Sequence, residues 1–223
     1  MTEATDAIPA DANVAPLAGW EIVSVVSSLL IAEWVVLVFV GRSKMVAAIP
    51  VGLAFVFMFC SHRLHRETLK EIGFRSDNFV PALSWLLVPT LIAAAAILII
   101  GWSSGGLRFG LIPARPRFLL LPLWALAQQY VLQGFVNRRA QMALGTGVPG
   151  VVVVATMFAL LHLPNLPLSA ATFLGGLVWA WVYQRAPNLL APAISHSVLS
   201  LLLAFSLPPA WLNSLRVGFK YFG

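Results

Sequence analysis

Apolar side chains run in long blocks at residues 20–40, 45–60, 79–102, 118–136, 148–163, 166–183 and 189–207, with polar residues gathered between them. Blocks of this length approach the ~20 residues with which a helix crosses a ~30 Å hydrocarbon layer. The pattern predicts an all-α, polytopic membrane bundle of about seven helices; several blocks are short enough to tilt or re-enter, which sets bounds of six to eight. Residues 61–78 are the longest polar stretch, and Leu64, Leu69, Ile72 and Phe74 spaced among its charges predict a short helix or turn at the membrane surface. Residues 1–17 carry Glu3, Asp6 and Asp11 but no Lys or Arg, so they lack the positive start of a secretory signal and read as a flexible polar tail before a bundle spanning 18–207. Residues 208–223 mix Trp211, Phe219, Tyr221 and Phe222 with Arg216 and Lys220, the composition of an interfacial C-terminal tail.

Composition sharpens this. The chain of 223 residues is 60% hydrophobic and only 10% charged, against roughly 25% charged in ordinary soluble domains. Fourteen Lys and Arg against eight Asp and Glu give a net charge of +6, but the cations are scattered between apolar runs and form no stripe for nucleic acid. Assigned alternately to the two sides of the membrane, they divide seven and seven. Only the basic stretch after Cys60 argues for a side, and it favours a cytoplasmic N-terminus. A single cysteine, Cys60, gives no disulfide, no redox pair and no thiolate cage, so neither cofactor nor metal is expected. Cys60, at the edge of a block, is expected to be a packing residue. Trp20, Trp102 and Trp211 are expected in the aromatic belts.

Polar side chains inside the apolar blocks are costly unless they face the bundle interior or a wet cavity, so they are the candidates for function. The fourth block contains Gln128, Gln129 and Gln133; at about 100° per residue, all three amides are expected on one side of the helix. In the fifth, Phe158 and His162 share a face, with Pro164 ending the helix just beyond. In the seventh, His196 and Ser200 lie one turn apart. Interhelical glue worth about 0.6 kcal/mol per hydrogen bond would account for any one of these groups. Three groups on late blocks point instead to a shared polar cavity able to hold water or a peptide carbonyl.

The order and spacing of these residues resemble the CAAX-protease and bacteriocin-processing family of glutamic intramembrane proteases, also called the Abi family. Its Glu-Glu-x-x-x-Arg, Phe-x-x-x-His and His-x-x-x-Asn motifs correspond here to Gln128, Gln129 and Gln133, to Phe158 and His162, and to His196 and Ser200. Gly134, Phe135, Arg138 and Arg139 resemble the usual continuation of the first motif, and the run Glu71, Ile72, Gly73, Phe74, Arg75 resembles an element preceding the domain. The likeness extends over residues 118–207 and implies an intramembrane endopeptidase acting on a membrane-associated, prenylated or otherwise hydrophobic peptide, in a bacterial cytoplasmic membrane. By that likeness Gln128 and His162 would hold the attacking water, and His196 and Ser200 would face the oxyanion.

Motif one departs from the pattern, because a glutamine amide cannot accept the proton that a general base must take. Exchanging Glu, Glu and Arg together for neutral amides nevertheless avoids stranding a buried charge, a fault that costs about 3–5 kcal/mol. No Asp or Glu follows Asp77. A substitute base would therefore be Glu33, if the first helix packs beside the fourth, or His162 itself. The alternative is a non-hydrolytic relative that binds a hydrophobic peptide or membrane partner as chaperone, regulator or immunity factor. Proton-coupled transport is a third class, but the two halves of the chain lack the matching polar sites it usually needs. His62 and His65, beside Arg63 and Arg66, are expected on a solvated face rather than at a metal. Ser195 and Ser197 point away from the His196 face, so neither is expected to be a nucleophile.

Overall fold

A computed structural model describes residues 14–36, 44–108 and 120–222. The described residues fold into seven long helices and one short one, without strands. Helix α1 spans Val14–Val36 and turns π-helical over Ile31–Val36; α2 is Lys44–Leu64, α3 the short Leu69–Ile72 and α4 Phe79–Ser103. Helix α5 is continuous through Leu121–Gln129, a π-helical Tyr130–Asn137 and Arg138–Leu144. Helices α6, α7 and α8 are Val148–Leu160, Leu166–Arg185 and Leu190–Ser206. Two 3-10 turns, Asn213–Leu215 and Gly218–Phe222, close the described chain.

The outside of this bundle is apolar. Helix α4, about 37 Å long at 1.5 Å per residue, buries Ala82, Leu86 and Gly101 and turns Leu87, Val88, Leu91, Ile92 and Ile99 outward. A soluble protein rarely exposes an apolar patch beyond a few hundred Å². The polar side chains do the reverse: Glu21, Gln129, Gln133, Asn137 and Arg139 are all buried. Together with a mean hydropathy of +0.88, this makes the chain an integral membrane bundle whose outer surface meets lipid.

Packing follows from small residues. A Cβ on Gly176 of α7 would stand 2.9 Å from the Ala155 Cα of α6, so these two helices approach backbone to backbone. The core behind them joins Val25, Met58, Leu86, Phe135, Val154, Phe158 and Trp179 from six helices.

Several boundaries differ from the hydropathy pattern. Residues 14–17 already belong to α1; the remainder of the expected N-terminal tail, the 41–43 connection and the expected start of the fourth block at 118 lie outside the described residues. Helix α5 does not stop at 136 but carries Arg138 and Arg139 as helical residues, because both guanidinium groups find carboxylates within the fold. Helix α6 ends at Leu160, two residues before the imidazole. Cys60, expected to be a packing residue, is exposed on the outer face.

The 61–78 stretch is docked rather than floating. Thr68 and Glu71 form a reciprocal capping box on α3, Tyr183 Oη donates to the Ile72 carbonyl at 2.7 Å, and Leu189 N–H donates to the Gly73 carbonyl at 2.9 Å.

Candidate active site

Glu33, Gln128 and His162 line one cavity of about 190 Å³, room for about six waters at ~30 Å³ each. The cavity lies between the end of α1, the start of α2, the first half of α5 and the turn after α6; Phe55, Trp124, Leu132 and Val217 form much of its apolar wall. Three features of the local fold place the polar groups there. The π-helical end of α1 holds one extra residue per turn, a distortion frequent at functional sites, and carries Glu33. The last α-helical turn before the π stretch of α5 carries Gln128. His162 sits just past the end of α6, where the backbone tightens into i→i−3 turns, its own N–H donating to the Ala159 carbonyl at 3.0 Å.

His162 is fixed by its own helix. Its Nδ1 lies 2.8 Å from the Phe158 carbonyl; a carbonyl only accepts, so Nδ1 carries the proton and Nε2 keeps a lone pair. The Phe158 ring meets the imidazole edge to face at 4.7 Å. One carboxylate oxygen of Glu33, Oε2, is buried without a hydrogen-bond partner from the protein.

The second imidazole stands one layer back. His196, 6% exposed, is absent from the cavity lining; it packs against Phe158 at 5.5 Å and Trp179 at 4.8 Å. Its Nδ1 accepts from Gln129 Nε2 at 3.4 Å. Ser195 is held by Thr90 at 2.7 Å and Trp179 at 3.0 Å, and Ser197 donates to the Ala193 carbonyl, so neither serves as a nucleophile to His196. Ser200 is half-buried and off the cavity wall.

The three glutamines therefore do not share one side of the helix. Gln128 looks into the cavity and Gln129 toward His196, while Gln133 accepts from Asn137 Nδ2 at 2.8 Å, in a network that reaches Gln141, Gln184 and the Ala180 carbonyl. At about 100° per residue, Gln128 already stands about 100° from Gln129 and about 140° from Gln133.

A second polar centre, unforeseen from the sequence, lies toward the other end of α1. Arg139, fully buried, places Nε 2.6 Å from Glu21 and Nη2 3.0 Å from Glu67, and donates to Ser61 at 2.8 Å. Arg138 reaches Glu67 at 2.6 Å. His62 is buried and hydrogen-bonds Glu67, while His65 lies 3.5 Å from Glu21; the expected solvated histidine face is instead part of this network. Burial alone would raise the Glu67 carboxyl, but bonds from His62, Arg139 and Arg138 and the Arg139 charge reverse that and hold it well below the usual carboxylate range. The available signal was a pair of opposite charges at block edges, Glu21 just inside the start of one apolar block and Arg139 just past the end of another. Among the described residues no group of His, Cys, Asp and Glu could hold a metal.

Among known families, the one described as type II CAAX prenyl endopeptidase Rce1-like matches residues 42–202. No curated protein and no solved structure matches the chain. The chain belongs to the Rce1-like CAAX endopeptidase family, which its motif order had resembled.

Proposed function

We propose that this member of the family is an intramembrane endopeptidase in which the carboxylate of Glu33, on the first helix, serves as the base that motif one no longer supplies. Its substrate is a hydrophobic or lipidated peptide held at the membrane. The single observation supporting this reading is that Glu33, Gln128 and His162 line one cavity inside the bundle.

In this reading a water sits between the Glu33 carboxylate and the His162 Nε2 lone pair, oriented by both. Glu33 takes a proton as the water oxygen attacks the scissile carbonyl carbon. The carbonyl oxygen becomes an oxyanion, and the Gln128 amide N–H donates to it, a role a carboxylate at that position could not fill. The C–N bond then breaks and the amine leaves with the proton held by Glu33, which returns the base to its starting state. Phe158 and the Gln129–His196 pair act behind the site by fixing the His162 ring.

The test is cleavage, in liposomes, of a pool of prenylated and unmodified membrane peptides. Glu33→Gln should lower turnover by about 10²–10⁴-fold, the usual worth of a general base, and His162→Ala by a comparable factor. Full activity in Glu33→Gln refutes the assignment of the base. Absence of cleavage by the unaltered protein, with retained peptide binding, would make the chain the non-hydrolytic relative that its three glutamines also suit.

A further inference from the structure

The last residues of the described chain do not leave the bundle; they fold across the turn that carries His162. Asn165, one turn of chain beyond His162, donates from Nδ2 to the Leu212 carbonyl at 2.6 Å and to the Arg216 carbonyl at 3.1 Å. Val217 enters the cavity wall. Next comes Gly218, whose N–H donates to the Leu163 carbonyl at 2.8 Å. Phe222 then meets Trp34 of α1 with ring centroids 6.3 Å apart.

Gly218 touches both halves of the site. While its N–H holds the residue beside His162, its Cα lies against the turn that bears Glu33: an added Cβ would stand 2.8 Å from the Glu33 Cβ and 3.0 Å from the Glu33 carbonyl oxygen. Its φ is +55°, a left-handed backbone that favours glycine. The atoms a methyl would strike are backbone oxygen and Cβ, which cannot swing aside like a side-chain tip, so the Glu33 turn itself would have to move.

We propose that Gly218 is a positioning residue that couples the Glu33 turn to the His162 turn, and that strap residues 216–222 form the wall closing the cavity over both. The inference rests on the Glu33–His162 reading for its catalytic consequence, but its geometric half stands apart from any activity. A water activated between two groups on different elements needs their separation fixed; misplacement by about 1 Å can cost roughly 10²-fold in rate.

The experiment uses two variants, Gly218→Ala and a chain ended after Arg216, each measured in two ways. In the peptide-cleavage assay, both should lower kcat by roughly 10²-fold with little change in KM, because the strap touches the catalytic turns. The second measurement does not depend on activity. Ala127 lines the cavity, so Ala127→Cys in a Cys60→Ser background gives one reporter thiol, and its reaction rate with N-ethylmaleimide reads access to the cavity. Both strap changes should speed labelling severalfold. Unchanged labelling in the truncated chain overturns the inference whatever the turnover shows, and it still decides the matter if Gly218→Ala fails to fold. Faster labelling in a protein that cleaves nothing would uphold the coupling by Gly218 and refute the endopeptidase reading alone.

Discussion

Replacing Arg139 by methionine, which keeps a long apolar stem and removes the charge, strands two buried carboxylates to different degrees. Glu67 retains Arg138 at 2.6 Å and its bond to His62. Glu21, 6% exposed, loses a guanidinium nitrogen at 2.6 Å and keeps only the Ser61 hydroxyl at 2.6 Å and His65 at 3.5 Å. The loss therefore falls mainly on Glu21, and removing one partner of a buried pair costs about 3–5 kcal/mol. The contact of Arg139 with the Phe135 ring, 4.9 Å from centroid, is lost as well, though methionine restores part of that packing. At about 2–4 °C per kcal/mol for a domain of this size, Tm in detergent should fall by roughly 6–20 °C. The decisive comparison is the double variant Glu21→Gln with Arg139→Met: neutralising the stranded carboxylate should recover at least half of the loss, since neutral replacement of a whole pair is often nearly free. A single variant within about 2 °C of the unaltered protein, or a double variant no more stable than the single, would refute the claim that this pair is desolvated and mutually dependent.

The same network sets a pH limit. The folded-state pKa of Glu67 is depressed, so its stabilising contribution is present above the unfolded value of ~4.3 and fades as pH falls below it toward the folded value. Thermal scans should show a plateau near neutrality and a decline beginning near pH 4, and Glu67→Gln should flatten that decline. Asn137→Leu should cost about 1–3 kcal/mol, because it leaves the Gln133 Oε1 and the Ala180 carbonyl buried without their amide donor; chemical denaturation in mixed micelles reads this directly. Gly176→Leu should destabilise by about 1–3 kcal/mol through overpacking, since its first carbon already meets the Ala155 backbone; unchanged stability would mean that α6 and α7 do not approach as described.

The membrane bundle and its helix count were legible because hydrophobic block length is a strong signal in lipid, where the backbone must satisfy its own hydrogen bonds. The grouping of His162 with Phe158 was legible too, because the two lie four residues apart at a helix end. Gln128 was wrongly grouped with Gln129 and Gln133 because separations of about 100° and 140° around the helix were read as one face. Likewise, the order of residues shows opposite charges at Glu21 and Arg139 near block edges but not that they meet Ser61 and Glu67, since long-range pairing is a property of the packed state. The contacts of the strap were not legible for a related reason. Aromatic and basic residues after the last helix have the composition of an interfacial anchor, whereas the contacts of Gly218 depend on one backbone conformation that composition does not encode.

Why amides suit the positions of Gln128, Gln129 and Gln133 becomes intelligible once the charges are followed through the fold. An ion set at motif one would need all of its members near one another, but here Gln128, Gln129 and Gln133 serve three separate neighbourhoods. A charge on any one of them would be desolvated without a partner, and that penalty runs to several kcal/mol per ion. Neutral amides suit such dispersed positions, because each both donates and accepts. The chain keeps its buried ion network at the Glu21, Glu67 and Arg139 end of α1, and a lone carboxylate, Glu33, about 18 Å away along the same helix at 1.5 Å per residue. In the proposed reading, the structural charge near Glu21 and the chemical charge of Glu33 sit at different levels of one helix, so substitutions at Arg139 should alter stability far more than turnover, and substitutions at Glu33 the reverse. Measuring both quantities for both variants tests that separation: parallel losses of stability and turnover at either position would show that the two centres act as one.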